Sequence, residues 1–398
     1  WLMFPKLMPE IPVSIISRDS HLVYSAMFPS VLSKSISLEE SLIDIKSLAK
    51  NAKVSFIEEE VKDIDFNLKK IVLSNRPSVN FSKLVLNYGS QTIIPKEFES
   101  LVKNRNAFSI KPFLRAYVSI QKEDIFDSVN ERPFVIVGSG LAAIEVSYAL
   151  RKRWRDRPLK LLCDSRKICN TILKSLRNSN IDLVENLNFD YGKILLCTGN
   201  TSPLWVQKKL LDSDFNGRII TNRNLQLKSF SGIFAAGDCA VLDSAKRPAS
   251  GIFAVKVVNT LVQNLRRDIE GGSLKKWFPQ RIGLQIVNTF PSHHSKAFAI
   301  YRNFVFGPSF LFWILKHKID LNFINKFRSK RLIMKGSGKN ISLNDCRGCA
   351  AKIPQFVLNK SLIKSNLDSF ASSPEDSVEI YQNGQDIILQ SVDGFPAL

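Results

Sequence analysis

A glycine-rich turn near the middle of the chain has the residue types and spacing that bind a phosphate group. The segment Val137–Glu145 reads VGSGLAAIE and lies between the apolar run Phe134–Val137 and a helical pattern. Gly138 permits a tight turn, Gly140 lets a diphosphate approach the backbone, and Ala143 lets the helix pack on the strand. The first amides of such a helix attract phosphate. The pattern predicts a dinucleotide-binding turn, although one glycine motif alone also occurs in ordinary turns.

An acidic residue follows this turn at the spacing of a sugar contact. Leu159–Cys163 predicts the next strand, and Asp164 comes directly after it, about 20 residues beyond the turn. A carboxylate there binds the adenosine ribose and favours NAD(H), whereas Arg166 and Lys167 leave NADP(H) open. Glu145 is a candidate for positioning the nicotinamide or closing the site. The alternative for Glu145 is a surface carboxylate on the helix.

Other apolar runs predict strands that alternate with helices, and such alternation indicates a parallel sheet. A helical pattern is predicted over residues 142–151 and another over 251–266. The further predicted strands are Pro12–Ile16, Val54–Ile57, Val61–Asp65, Lys70–Leu73, Lys83–Asn87, Lys193–Cys197 and Gly232–Ala236.

Length and composition indicate a globular protein of two or three domains. The 398 residues include 56 Lys and Arg against 36 Asp and Glu, a net charge of +20. The basic residues are spread along the chain without a nucleic-acid-binding motif, so we expect no nucleic-acid partner. Neither a signal peptide nor an apolar stretch of about 18 residues is visible. We therefore expect a cytoplasmic protein with its six cysteines reduced, and a sequence cut from a longer one at both ends.

Three further glycine motifs carry a family resemblance. They read LVLNYGS over residues 84–90, ILLCTGN over 194–200 and GIFAAGDC over 232–239. With the central turn, they resemble the pyridine nucleotide-disulfide oxidoreductase superfamily over residues 10–330, in particular its NADH dehydrogenase-like flavoproteins. The resemblance implies an α/β fold with two Rossmann-like FAD/NAD(P)-binding domains of the three-layer ββα type.

The same resemblance implies residues that bind FAD. Gly89 and Gly199 would lie where the chain crosses between the domains, and Gly237 would let the backbone approach the cofactor. Asp238 would bind a hydroxyl of the FAD ribityl chain or near the phosphates. A helix N-cap is the alternative for Asp238, and it is compatible with that role.

The first part of the FAD-binding domain departs from the family pattern. Ser17 stands near the place of the acid that binds the adenosine ribose, and Asp19 is the candidate substitute, with a solvated loop carboxylate as the alternative. The glycine-rich turn expected before Val13 does not occur in this sequence, so we expect weakened FAD binding. The segment Pro248–Val255 resembles the one that covers the isoalloxazine ring.

The implied reaction is hydride transfer from NAD(P)H to flavin, followed by electron transfer to a quinone or a similar acceptor. A CxxC pair is absent among the cysteines before residue 340, which argues against dithiol chemistry. The aromatic and basic stretch 310–327 predicts a helix that packs on the FAD-binding domain or a dimer partner. Peripheral contact with the inner membrane is the alternative. His293 and His294 predict a solvated turn rather than a metal site.

The last segment resembles a different family. LNDCRGCAAKIP, residues 343–354, is similar to the start of a selenide, water dikinase (selenophosphate synthetase). That resemblance implies Cys349 as the nucleophilic or selenium-handling thiol, Lys352 as a phosphate contact, and Asp376 and Asp393 as ligands of Mg²⁺ and ATP. Half of a zinc site at Cys346 and Cys349 is the alternative, but no second cysteine pair follows.

These observations predict an FAD-dependent NAD(P)H oxidoreductase fused to the beginning of an α+β dikinase domain. One alternative is a selenide, water dikinase whose flavoprotein module supplies reduced selenium from a selenium donor. Another is a non-catalytic nucleotide-binding fragment. The predicted divisions are a first part of the FAD-binding domain, the NAD(P)-binding domain, a second FAD-binding part with C-terminal helices, a linker and a dikinase fragment, at residues 1–115, 116–222, 223–334, 335–340 and 341–398.

Overall fold

The computed structural model describes residues 8–124, 132–203, 206, 212–280, 282–291 and 295–328, and the backbone of 377–383 and 386–391. The chain divides into two compact units, residues 1–332 and residues 333–398. The finer domain bounds predicted from the sequence stay predictions.

The larger unit consists of short strands and helices. Its strands are β1 (Ser14–Ser17), β2 (His21–Val23), β3 (Leu42–Asp44), β4 (Ser55–Glu58), β5 (Val61–Asp65), β6 (Lys70–Leu73), β7 (Val79–Asn80), β8 (Leu84–Leu86), β9 (Gln91–Thr92), β10 (Ala107–Ser109), β11 (Phe134–Val137), β12 (Leu159–Leu162), β13 (Ile181–Val184), β14 (Ile194–Leu196), β15 (Asn200–Thr201), β16 (Ile219–Thr221), β17 (Ile233–Ala235), β18 (Ala240–Leu242), β19 (Gln285–Asn288), β20 (Ala297–Tyr301) and β21 (Phe304–Ser309). Its α-helices are α1 (Phe28–Leu32), α2 (Ile45–Asn51), α3 (Lys96–Lys103), α4 (Phe113–Asp124), α5 (Leu141–Arg153), α6 (Asn170–Asn178), α7 (Gly251–Lys256), α8 (Val258–Ile269) and α9 (Phe310–Arg328).

A five-stranded parallel sheet positions the glycine-rich turn. Its strand order is β10-β14-β11-β12-β13, with α5 between β11 and β12 and α6 between β12 and β13 along the chain. All four residues of β11 are buried, as expected for a parallel strand covered on both faces. The predicted strands on either side of the turn and the predicted helix after it are confirmed, with ends that differ by one or two residues.

A second parallel region is formed by strands that come before and after this sheet in the sequence. β8 precedes the turn and β17 follows it, yet they pair in parallel, with Leu84 opposite Ile233 and Leu86 opposite Ala235. β1 pairs with β4 and β16 with β18, also in parallel. Among the described residues these pairs are separate two-stranded sheets, because no described strand joins β1 to β8. The α/β class is confirmed, whereas a continuous second Rossmann-like sheet is not seen there.

The larger unit also contains two three-stranded antiparallel sheets, together with the two-stranded antiparallel pairs β2–β3 and β9–β15. β5, β6 and β7 form one, as the alternation of polar and apolar residues predicts for its first two strands, and β19, β20 and β21 form the other. α9 follows directly, packs on the second sheet and also contacts β3, within the predicted first part of the FAD-binding domain. No helix in the described part of the chain is long and apolar enough to cross a bilayer.

The helical pattern over 251–266 is two helices, α7 and α8, that meet at Val257. Val257 keeps right-handed helical φ and ψ, and its buried side chain packs into the core. Its amide donates to Phe253 O at 3.1 Å, and Leu261 donates to Val257 O at 3.0 Å. The interruption is therefore a local change of hydrogen bonding inside one helical path.

The smaller unit contains an antiparallel hairpin of β22 (Ser377–Asn383) and β23 (Asp386–Ser391). β22 overlaps residues 374–380, which resemble an acidic strand of the dikinase family. The segment 391–393, which resembles the next strand of that family, overlaps β23 only at Ser391, and residues 392 and 393 lie outside the described residues. A hairpin alone does not define a dikinase domain, which stays a prediction.

A buried arginine joins α4 to the central sheet. Arg157 Nη2 donates to Glu123 Oε2 at 2.8 Å, and its side chain is 0% exposed. The guanidinium lies 4.7 Å from the ring centroid of Trp154 and 5.1 Å from that of Phe134. Loss of one partner from a buried ion pair leaves an uncompensated charge in the core.

We expect Arg157→Ala to lower the free energy of unfolding by about 3–5 kcal/mol, because Glu123 would stay buried without its partner. As a control, Asp182→Ala removes the exposed partner of Lys160 and should cost less than about 1 kcal/mol. Urea denaturation followed by circular dichroism measures both. Similar losses for the two variants would contradict the buried-pair interpretation.

Candidate functional site

The glycine-rich turn joins β11 to α5 at a point of close backbone contact. Gly138 has a φ of +146°. A Cβ at Gly138 would lie 2.5 Å from the carbonyl oxygen of Cys197 and 3.1 Å from the Cβ of Ala143. Carbon atoms do not approach oxygen so closely, so these neighbours require glycine. Ala143 is itself fully buried, so a larger residue there would separate the helix from the sheet.

The other glycine of the turn faces open space. Gly140 is the N-cap of α5, and a Cβ built on it meets nothing within 4 Å. No side chain caps this helix end, so its first amides are available to an anion. The two glycines therefore differ in what they do: Gly138 serves packing, and Gly140 leaves the entrance to the helix N-terminus open.

Asp164 lies beside the same turn, directly after β12. Its amide donates to Ser139 Oγ at 2.9 Å, which ties the two loops together. Its carboxylate pairs with Arg166 at 2.9 Å and with Lys167 at 3.5 Å. The hydrogen bond from Arg166 is the main cause that lowers the Asp164 pKa to about 2. A sugar hydroxyl at this position would meet an ionised carboxylate flanked by two cations.

The three other predicted glycines each have positive φ and each precede a polar residue. The φ angles are +75° at Gly89, +111° at Gly199 and +83° at Gly237. A Cβ on Gly237 would have only the Ala254 Cβ near it, at 3.8 Å, so a ligand can approach its backbone closely. Asp238 lies within a short 3₁₀ turn and caps no helix with its side chain. The N-cap alternative for Asp238 is therefore wrong.

The segments predicted to flank the flavin have different environments. Pro248, Ala249 and Ser250 line a small cavity together with Ala236 and Gly237, next to the third glycine motif. The Asp19 carboxylate is exposed and pairs with the neighbouring Arg18 at 3.0 Å. That geometry is the one of a solvated loop carboxylate, and a sugar contact at Asp19 stays a prediction.

Glu145 is largely buried, with 13% of its side chain exposed, so its interpretation as a surface carboxylate is wrong. Its Oε1 accepts from the Asn288 amide at 3.0 Å and lies 3.7 Å from Lys316 Nζ. Lys316 also lies 3.5 Å from Asp320, which accepts from Tyr24 Oη at 3.2 Å. We call Glu145, Lys316, Asp320 and Tyr24 the Lys316 cluster; it joins the nucleotide helix α5 to α9.

Charge in the Lys316 cluster is balanced by burial and pairing. Burial raises the pKa values of Glu145 and Asp320, although Lys316 opposes this in both. Burial disfavours the charge on Lys316, but the two carboxylates outweigh it and raise its pKa. The cluster therefore favours a charged lysine between two carboxyl groups that retain protons more readily than exposed ones.

The four cysteines in the described part of the chain form no disulfide. Cys163, Cys197 and Cys239 are buried and Cys169 is exposed. Burial raises the pKa of Cys197 and of Cys239 to about 12, so these thiols stay protonated at neutral pH. Nor do the described residues group three or more His, Cys, Asp or Glu side chains in a way that could hold a metal.

Several predicted site residues lie outside the described residues. These are Cys349 and Lys352 with the neighbouring Cys346, the metal-ligand candidates Asp376 and Asp393, and His293 with His294.

The geometry defines a class of fold: an α/β chain in which a five-stranded parallel sheet is inserted into a second parallel region. Solved structures share this fold. The sulfide:quinone oxidoreductase from the hyperthermophilic bacterium Aquifex aeolicus superposes with a TM-score of 0.67 at 17% identity, covering 83% of this chain and 88% of that one. The NDH2 of Plasmodium falciparum, solved in complex with NADH, superposes with a TM-score of 0.58 at 13% identity, covering 81% and 93%.

Curated relatives agree at low identity. The type II NADH:quinone oxidoreductase of Staphylococcus aureus is 21% identical over 318 residues, which cover 67% of this chain and 78% of that protein. The ferroptosis suppressor protein 1 of Taeniopygia guttata is 23% identical over 263 residues, 55% of this chain and 67% of that protein. No family model matches the chain. Together these findings support the resemblance to NADH dehydrogenase-like flavoproteins.

Sequence reasoning missed the cations of the site. Lys111 contacts Asp238, and Lys316 contacts Glu145. Neither lysine belongs to a local sequence motif, and each partner comes from a distant part of the chain. Ser90 and Asn200 lie within the glycine motifs over residues 84–90 and 194–200, and the sequence does contain a signal for them. Each directly follows the glycine that comes after a predicted strand, as Asp238 does.

The two glycines of the turn should respond differently to alanine. We expect Gly138→Ala to lower the free energy of unfolding by about 2 kcal/mol or more, because its Cβ would clash with backbone. Gly140→Ala should cost about 1 kcal/mol or less, yet weaken NADH binding by narrowing the open entrance. Thermal unfolding and NADH titration measure these effects. Unchanged NADH affinity in Gly140→Ala would contradict the proposed entrance.

Proposed function

We propose that this chain is the catalytic part of an FAD-dependent NAD(P)H oxidoreductase that passes electrons to a quinone or a similar acceptor. The observation that carries the proposal is the open turn at Gly140 with Asp164 held beside it. The similarity to the type II NADH:quinone oxidoreductase of Staphylococcus aureus supports the choice of acceptor.

NADH is the preferred reductant in this proposal. The Asp164 carboxylate would accept hydrogen bonds from a ribose, and its low pKa keeps it ionised for that role. Arg166 and Lys167 partly neutralise it, so a 2′-phosphate would meet less repulsion than at an isolated carboxylate. We therefore infer a preference for NADH that is smaller than at a site without these cations.

The described residues fit FAD at the third glycine motif. Gly237 leaves its backbone accessible, and Asp238 Oδ1 accepts no hydrogen bond from the described residues, so it is open to a ribityl hydroxyl. When bound, the flavin would supply the chemistry of accepting a hydride and releasing electrons one or two at a time. The protein supplies orientation, which is the role of Asp238 and the Gly237 backbone.

The chain's own residues favour electron transfer without protein thiols. The protonated, buried Cys197 and Cys239 are poor nucleophiles. The Lys316 cluster joins α5 to α9 through ion pairs of Lys316 with Glu145 and Asp320. A nucleotide bound at the start of α5 would therefore rest on a helix whose far side is fixed.

The proposal is tested by flavin binding and reduction. We expect the purified chain, mixed with FAD, to retain a flavin absorbance peak near 450 nm (about the value of free FAD) that NADH bleaches under anaerobic conditions. Gly140→Ala should retain the flavin but bleach more slowly, because only the NADH site changes. Nucleotide binding without any flavin retention would instead favour a non-catalytic nucleotide-binding fragment.

We also propose that α9 and β21 contact a membrane surface. Large apolar side chains are exposed on both elements, among them Leu311 at 72% and Phe304 at 65%. Exposed apolar patches of this kind are typical of interaction sites. The net charge of +20 would add attraction to anionic lipids. A second copy of the chain is the competing occupant of this surface.

Vesicle binding tests the membrane proposal. We expect the chain to sediment with vesicles of anionic phospholipid, and Leu311→Ser with Phe306→Ser to weaken vesicle binding by at least about tenfold, because each apolar side chain contributes up to roughly 1.5–3 kcal/mol when fully buried. Phe215→Ser, at an exposed phenylalanine that belongs to neither α9 nor β21, is the control and should bind as the unchanged chain. A stable dimer in solution that does not bind vesicles would contradict the proposal.

The dikinase resemblance of residues 341–398 stays a prediction. Its candidate residues Cys349, Lys352, Asp376 and Asp393 lie outside the described residues. No observation on the larger unit favours selenophosphate synthesis over electron transfer to a diffusible acceptor.

A further inference from the structure

Three strands of the larger unit end in the same local pattern. After β8, β14 and β17 the chain reaches a glycine with positive φ that is followed by a polar residue. The pairs are Gly89–Ser90, Gly199–Asn200 and Gly237–Asp238. Positive φ at each glycine turns the chain so that the next side chain leaves the strand direction.

One ammonium group contacts all three polar side chains. Lys111 Nζ donates to Ser90 Oγ at 2.8 Å, to Asn200 Oδ1 at 3.1 Å and to Asp238 Oδ2 at 3.4 Å. A lysine ammonium has three donors and no acceptor, so these three contacts use all of them. The Lys111 amide adds a hydrogen bond to Thr92 Oγ1 at 3.2 Å, which fixes the backbone from which the side chain extends.

The contact with Asp238 is one-sided. Ser90 Oγ and Lys111 Nζ both approach Oδ2, at 3.4 Å each. Asp238 Oδ1 has no partner among the described residues. Lys111 and Asp238 are only 20% and 24% exposed, so rotation of the carboxylate would break the ion pair in a partly dehydrated place. The geometry thus holds one oxygen and presents the other.

We propose that Lys111 is a positioning residue for a ligand that carries both a polyol and a diphosphate, and this inference rests on the proposed FAD function. Lys111 acts through Asp238: it orients the carboxylate so that Oδ1 can accept a polyol hydroxyl. It also balances the negative charge of Asp238, which would otherwise repel the diphosphate of such a ligand. By its contacts with Ser90 and Asn200, it holds the three strand ends at the spacing that the ligand needs.

The test compares FAD dissociation constants in four backgrounds, measured by quenching of flavin fluorescence. We expect Lys111→Gln to weaken FAD binding about tenfold, which corresponds to about 1.4 kcal/mol. Lys111→Arg, which keeps charge and donors, should stay within about threefold of the unchanged chain. Lys103→Gln removes an exposed lysine at the end of α3 and should leave FAD binding unchanged. Thermal unfolding of each cofactor-free variant checks that it folds.

A double-mutant cycle separates positioning from a general structural effect. If Lys111 acts through Asp238, then Lys111→Gln should weaken FAD binding by less than about twofold once Asp238→Asn is present. An undiminished tenfold effect in that background, or unchanged FAD affinity in Lys111→Gln, would overturn the inference while leaving the FAD function intact. Absence of FAD binding by the unchanged chain would overturn both.

Discussion

The fold of the larger unit depends on one place where backbone meets backbone without room for a side chain. Gly138 lies against the carbonyl of Cys197, and its amide donates to Leu162 O at 3.0 Å. The Cys197 amide in turn donates to Val137 O at 2.8 Å. Strands β11, β12 and β14 and helix α5 therefore meet at a single glycine. Interiors are packed densely enough that one added carbon there would displace several elements.

The nested order of the chain turns this local contact into a site. Because β8 and β17 pair in parallel across the inserted sheet, segments separated by well over a hundred residues end at neighbouring positions. Ligands in parallel α/β proteins bind at the carboxyl ends of strands. The glycine turns after β8, β14 and β17 thus supply accessible backbone where a cofactor is expected, and the Lys111 ammonium contacts all three.

Sequence patterns correctly predicted the features that depend on contacts between residues close together in the chain. The turn at Gly138, the strands beside it and α5 depend on residues close in sequence, so their types and spacing were sufficient. Glu145 shows the limit: helical periodicity placed it on α5 but gave no information that α9, beginning at residue 310, would bury it. The contacts of the Lys111 ammonium group span 21 to 127 residues of sequence, so no local pattern could predict them.

The role of the large positive charge depends on which lysines and arginines have acidic partners in the structure. A buried cation is costly unless a carboxylate compensates it. The buried Lys316 and Arg157 and the partly buried Lys111 each meet this requirement with an acid from a distant segment. An unpaired alternative arrangement would leave both charges without compensation, so each pair disfavours misdocked elements more than it adds stability. The other lysines and arginines, on the surface, favour contact with anionic partners. The buried and partly buried cations instead hold α5 and the three glycine turns in place.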